Sequence, residues 1–192
     1  MTDTMLEGLK DRISKSAKIH QSVGIIVPMN NYADLSEAII DHMMNTKDDF
    51  WVYITITKSF DTIIKKFKSL SDHKNIKFID CISRAAGIVR SDNNCIYVES
   101  PAMLEKILME MINILHEIKD DLNKYIIIDS LSSLMIYNNP ETVNEFFQHF
   151  INKTRAEDVH SISLVVEEEM DEYINRIIFL NEKIIKVRES FI

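Results

Sequence analysis

The residues with most chemistry to offer stand together in Tyr125-Ile126-Ile127-Ile128-Asp129-Ser130-Leu131-Ser132-Ser133. An apolar stretch that reads as a buried strand ends in a carboxylate, and hydroxyls follow at once. At the carboxyl end of a central strand, where open α/β sheets place their ligands, such an aspartate can meet a magnesium ion through water. The phosphates sharing that ion need a glycine-rich loop, so that successive backbone N–H groups can curl around them, and a lysine to neutralise their charge. No Gly-x-x-x-x-Gly-Lys-Ser/Thr segment occurs, and the chain has 3 glycines, Gly8, Gly24 and Gly87. Asp129 therefore has two readings, a magnesium ligand or a structural residue that caps the turn into Ser130–Ser133 by accepting backbone N–H bonds. Without a phosphate partner for the metal, the structural role is preferred. Asp80 has the same two readings in weaker form, since it falls within its strand.

Other constellations offer less. Glu167, Glu168 and Glu169 with Asp171 and Glu172 could attract a hard cation, but they lack the alternating ligand loop of a calcium site and read as a solvated helix start. The 6 histidines, His20, His42, His73, His116, His149 and His160, include no pair at His-x-x-x-His spacing. No Gly-x-Ser-x-Gly elbow presents a serine nucleophile. Cys81 and Cys95 lack metal-ligand spacing and are expected as buried free thiols.

The elements that must position these groups alternate. Residues 5–19 carry Leu6, Leu9, Ile13, Ala17 and Ile19 at helical spacing, an amphipathic extension before the first strand. Strands are expected at Val23–Pro28, Trp51–Thr57, Ile76–Ile82, Asn94–Val98, Tyr125–Asp129 and Ser161–Val166. Helices are expected from Asp34 to Met44, Asp61 to Leu70, 102 to 122 behind Pro101, and Pro140 to Lys153, with a helical turn from Glu168 to Arg176. Ile177–Leu180 and Lys183–Val187 read as a terminal hairpin around Asn181-Glu182. Strands separated by helices imply βαβ units, hence an α/β fold: a mostly parallel sheet in three layers, helices on both faces, closed by a C-terminal antiparallel hairpin. No linker or repeat divides residues 1–192, so one domain is expected, with 1–20 as its N-terminal helical extension. At this length a fold buries roughly 70% of the surface of the unfolded chain.

Composition narrows the partners. With 22 Lys and Arg against 30 Asp and Glu, the net charge of -8 disfavours a general nucleic-acid role, and Lys58, Lys65, Lys66, Lys68 and Lys74 read as a solvated face. No apolar run approaches the length of a membrane span, and charges at Asp3, Glu7, Lys10, Asp11 and Arg12 leave no signal-peptide stretch. A cytoplasmic protein is expected, without membrane or nucleic-acid partner.

Three stretches resemble the KaiC-like branch of the RecA superfamily, common in archaea. Trp51–Thr57 with the Ser59–Phe67 helix resembles the second core strand and helix; Phe78–Ser83 resembles the aspartate-containing third strand; Tyr125–Ser133 resembles the Walker B strand. Ile177–Leu180 and Lys183–Arg188 resemble the closing strands, which in the family end in a basic segment. The likeness spans roughly 20–190 and implies a RecA-like fold with ATP and magnesium at the strand ends. The departures remove that chemistry. Where the family has its phosphate loop (Walker A), this chain has Pro28-Met29-Asn30-Asn31-Tyr32-Ala33-Asp34-Leu35. Left-handed Asn30 and Asn31 could mimic glycine, but Pro28 lacks an N–H and Asp34 would repel a nucleotide. The family's catalytic glutamate is replaced by Thr57-Lys58.

The resemblance and its departures together imply a degenerate, non-hydrolysing domain with no cofactor. It would act as a regulatory or interaction module, pairing with itself, another protein or an active KaiC-like relative. The alternative is a protein that binds a small ligand or retains ATP binding, in a pocket formed by Asn30, Asn31, Tyr32, Thr57, Lys58, Asp129 and Ser130. The two readings differ on whether the segment from Pro28 to Asp34 closes over Asp129. It is expected to be closed.

Overall fold

The computed structural model describes residues 3–88, 90–118, 121–170 and 172–187. Seven strands form one sheet: β1 (Ser22–Val27), β2 (Asp49–Thr55), β3 (Ile76–Asp80), β4 (Cys95–Tyr97), β5 (Asn123–Asp129), β6 (His160–Val166) and β7 (Lys183–Lys186), in the order β4-β3-β2-β5-β6-β1-β7. Every strand pairing in this sheet is parallel. Such a sheet is buried on both faces, which explains why Val23, Ile25, Val27, Val52, Ile54, Ile126, Ile127 and Ile128 are all interior.

Strand alternation divides those residues between two cores. Tyr125, Ile127, Trp51, Tyr53 and Phe78 meet α1 (Asp3–Ile19), α2 (Met29–Asn45) and α3 (Phe60–Lys66) on one face. Ile126, Ile128, Val52 and Ile54 meet α4 (Leu104–Glu117), α5 (Pro140–Ala156) and α6 (Glu172–Ile178) on the other. Helix α3 starts at Ser59, which caps Thr62 N–H; α5 starts with Pro140 behind Asn139, which caps its own Thr142 N–H. The predicted α/β three-layer architecture is what is found.

The terminal hairpin is not. Ile177 and Ile178 end helix α6, where Ile174, Ile177 and Ile178 are buried at helical spacing, and β7 joins β1 in parallel with Ile185 opposite Ile25. A short apolar run satisfies either period, and packing against the sheet selected the helix. Gly24 of β1 makes this possible: a Cβ there would lie 2.6 Å from Ile178 Cδ1. Arg188, the end of the expected basic segment, and Asp171 lie outside the described residues.

The second correction concerns the phosphate-loop position. Residues 29–34 are the opening turns of α2, and among the described residues only Asp158 is a non-glycine with positive φ, so Asn30 and Asn31 are helical rather than left-handed. Pro28, with φ −60° and ψ 146°, is the N-cap, its fixed ring preset for helix entry. Pro101 does not open α4, which begins only at Leu104. No helix among the described residues is long and apolar enough to cross a membrane.

Candidate functional site

Strands β2 and β5 are neighbours, with Thr55 opposite Asp129, but their following helices go to opposite faces: α3 to the α2 side and α5 to the other. This divergence is the position at which open α/β sheets hold ligands. Thr57 and Lys58 leave it from β2, Asp129 and Ser130 from β5.

Asp129 continues the alternation of Tyr125 and Ile127, so its side chain faces α2, where it is 1% exposed. Its two oxygens are both engaged. Tyr32, on the first turns of α2, donates its hydroxyl to Oδ1, and Tyr53, 0% exposed on β2, donates to Oδ2. Tyr32 Oη also lies 2.7 Å from Thr57 Oγ1, and Lys58 Nζ sits 5.4 Å from the centre of the Tyr32 ring. The Ser36 hydroxyl, one helical turn beyond Tyr32, is buried beside the same carboxylate and has no hydrogen-bond partner of ordinary geometry among the described residues.

The electrostatics follow from burial. Desolvation holds the Asp129 carboxyl above its ordinary range, opposed by the two tyrosine hydrogen bonds and the Lys58 charge. Desolvation and the neighbouring Asp129 charge push both the Tyr32 and Tyr53 hydroxyls up, so they remain protonated donors. Each Asp129 oxygen accepts one tyrosine O–H bond, so a hydrated magnesium ion would share this carboxylate with Tyr32 and Tyr53. No group of three His, Cys, Asp or Glu among the described residues could hold a metal.

Ser130 bonds within its own turn. The Asp129–Ser130 peptide is cis, and Ser130 Oγ lies 2.7 Å from Ser133 Oγ. Ser132 Oγ donates to Glu169 Oε2 at 2.6 Å and accepts the Val166 N–H at 3.2 Å. The backbone-capping role expected of Asp129 belongs instead to Asp80. As the last residue of β3 it accepts the N–H groups of Phe60, Ile82 and Ser83 and the Ser83 hydroxyl.

The structure thus gathers Thr57, Lys58 and Asp129 around Tyr32, while the Ser130 hydroxyl is taken up by Ser132 and Ser133. Asn31 is 8% exposed at the start of α2, and Asn30 faces outward beside it. The segment from Pro28 to Asp34 does close over Asp129, as a helix and not as a loop. The acidic run is not simply solvated. Glu167 to Glu169 form one 3-10 turn in which Glu167 pairs with Lys186, Glu168 Oε2 accepts the Met29 N–H at 2.8 Å, and Glu169 accepts from Ser132.

Sequence reading missed Tyr53 and Ser36, and it did not foresee the partners of Glu168 and Glu169. Only Tyr53 left a signal: a tyrosine inside a strand buried on both faces needs a partner for its hydroxyl, and the strands on either side of it end in Asp80 and Asp129.

No protein-family model and no curated protein sequence matches the chain. Solved structures do. A KaiC-like protein from the hyperthermophilic archaeon Pyrococcus horikoshii superposes with a TM-score of 0.57 at 11% identity, covering 88% of this chain and 73% of that one. An uncharacterized protein from Pyrococcus horikoshii, solved in complex with an unknown peptide, superposes with a TM-score of 0.60 at 14% identity, covering 89% of this chain and 78% of that one. The likeness is one of fold: this chain has a KaiC-like, RecA-like fold.

Proposed function

We propose that this chain is an archaeal-type, degenerate KaiC-like domain that does not hydrolyse ATP and serves as a regulatory or protein-interaction module. The observation that carries the reading is the double engagement of Asp129. The carboxylate that would meet a metal-bound water is here engaged on both oxygens by Tyr32 and Tyr53, in a site without phosphate loop or catalytic glutamate. Freeing it would break two hydrogen bonds to a charged, buried group, each worth about 1.5–3 kcal/mol.

The structural neighbour that carries an unknown peptide supports a protein segment as the class of partner, whether from another protein or from a second copy of this chain. The test has two arms. Phosphate release from ATP with magnesium is expected to stay at the no-enzyme rate, and a thermal scan with ATP and magnesium is expected to leave the melting temperature unchanged. Stabilisation by several degrees would overturn the reading in favour of a nucleotide-binding protein. Light scattering of the purified chain then reports whether it associates with itself.

A further inference from the structure

The segment after β5 carries exposed apolar side chains on a rigid base. It forms a 3-10 turn, Ser132–Ile136, anchored in the core by Leu131 and Leu134, both 0% exposed. The end of the turn is tied down. The Tyr137 N–H bonds Leu134 O at 3.1 Å, and Asn138 Nδ2 donates to Leu134 O at 3.0 Å and to Pro101 O at 3.2 Å. The last of these bonds reaches the segment after β4, although β2 and β3 stand between β5 and β4 in the sheet. It joins the stretch that carries Ile136 and Tyr137 to the one that carries Met103, and the three side chains are 72%, 44% and 43% exposed. A lone exposed apolar side chain is ordinary, whereas several on one rim mark a surface that meets another molecule. A turn already fixed by hydrogen bonds needs little further ordering when that molecule arrives.

The surrounding charges define the partner. Glu105 follows Met103 in the first turn of α4, and Glu141 follows Tyr137 in the first turn of α5. Both are exposed, and neither forms an ion pair among the described residues. The cations of that side are committed, Lys106 to Glu110 at 2.6 Å and Arg84 to Glu99 at 2.7 Å. Acidic first turns suit helix N-termini by themselves, but helix ends do not explain the exposed apolar side chains between them. The rim is apolar with negative flanks, in a chain of net charge -8. Such a surface repels an anionic membrane and complements a protein segment that is both apolar and basic.

We infer that Met103, Ile136 and Tyr137 are the docking surface of this module, and that its occupant is a segment of another protein whose apolar side chains are flanked by Lys or Arg. The inference rests on the reading above and gives its partner a place and a chemistry. The apolar side chains supply the buried contact, while Glu105 and Glu141 select against acidic segments.

The experiment uses the full chain labelled with 15N and two synthetic amphipathic helices, one of leucine and lysine, the other of leucine and glutamate. The leucine-lysine helix is expected to move the amide resonances of Met103, Ile136 and Tyr137 saturably, and the leucine-glutamate helix to leave them in place. I136S/Y137S is expected to weaken the first affinity about tenfold, as removal of an interface anchor does. E105K/E141K is expected to weaken binding of the leucine-lysine helix and to admit the other. D72K/E117K makes the same change of charge away from the patch and is expected to leave binding nearly unaltered. All six substituted positions are exposed, so the fold is expected to survive. Resonance changes confined to other parts of the chain, an equal loss in the two charge-reversal variants, or no response to either helix overturns the inference. So does binding to vesicles containing phosphatidylserine that I136S/Y137S abolishes, which would assign the patch to a membrane. Self-association seen by light scattering and lost in I136S/Y137S would make a second copy the occupant, and overturns the choice of partner. ATP binding by the unaltered chain would sink the reading of the previous subsection, whereas failure of the peptide titration without ATP binding removes this surface alone.

Discussion

Tyr32 donates its hydroxyl to Asp129 across 97 residues of sequence, and so joins the helix after the first strand to the end of the fifth. The contact places a phenol ring over the carboxylate and a lysine over the ring. Chemistry that would face a ligand in an open site is turned inward. The consequences are measurable.

Removing either phenol leaves a buried carboxylate with one partner fewer. Y53F is expected to destabilise the fold by about 2–3 kcal/mol and Y32F by about 1–2 kcal/mol, the smaller figure reflecting the partial exposure of Tyr32. Urea unfolding of both and of the double variant tests this. The double variant should lose less than the sum, since the remaining acid can then take up a proton.

Burial raises the Asp129 pKa, so the folded state binds its proton more tightly than the unfolded chain does. In the window between the ordinary aspartate value of about 3.9 and the raised folded value, the native state carries more protons and stability falls as pH rises. Relative to D129N, the unaltered chain should therefore lose stability as pH increases from about 4, with the difference levelling off above the folded pKa. A difference that grows with pH over that window would contradict the assignment.

His42 behaves in the opposite sense. Half-buried against Trp51, with ring centres 5.8 Å apart, it has its pKa lowered by desolvation. Below the ordinary histidine value of about 6.5 the unfolded chain takes up the proton first, so stability falls as pH drops through that region. H42Q is expected to flatten the stability profile below about pH 6.5, as read from melting temperatures across that region.

Gly24 is where β1 admits α6. G24A would drive a methyl group to within 2.6 Å of Ile178 Cδ1 and 2.9 Å of Cγ1, in a core with no slack. A loss of about 1–3 kcal/mol is expected, with partial recovery in G24A/I178V because valine lacks the Cδ1 atom. Chemical denaturation of the two single variants and the pair measures the coupling.

Asp80 supplies a control for the site. It satisfies three backbone N–H groups and one hydroxyl, so D80A should cost about 3 kcal/mol or more, whereas D80N should keep part of that stability.

Much of the fold was legible because its signals are local. Strand-length apolar runs separated by helical stripes report a parallel sheet covered on both faces, as Val23–Val27 and Tyr125–Asp129 show. Boundaries and short apolar runs were less so: Ile177–Leu180 fits a strand or a helix equally well in sequence, and residues 29–34 carry the polar side chains of a loop although they are helical. Asp129 stood out as a carboxylate at a strand end. Its partners did not, because Tyr32 and Tyr53 reach it only through α2 and β2.

By itself the sequence determined the α/β class, the parallel order implied by βαβ spacing, and the absence of a glycine-rich phosphate loop, all of which depend on residue type and periodicity along the chain. Only the tertiary structure decided that Asp129 is held by two phenols, that Asp80 performs the capping, and that Glu168 sits on Met29. Apart from the Asp80 bonds to Ile82 and Ser83, those are contacts between residues 20 to 139 positions apart, and no local pattern encodes which distant group will arrive to satisfy a buried charge.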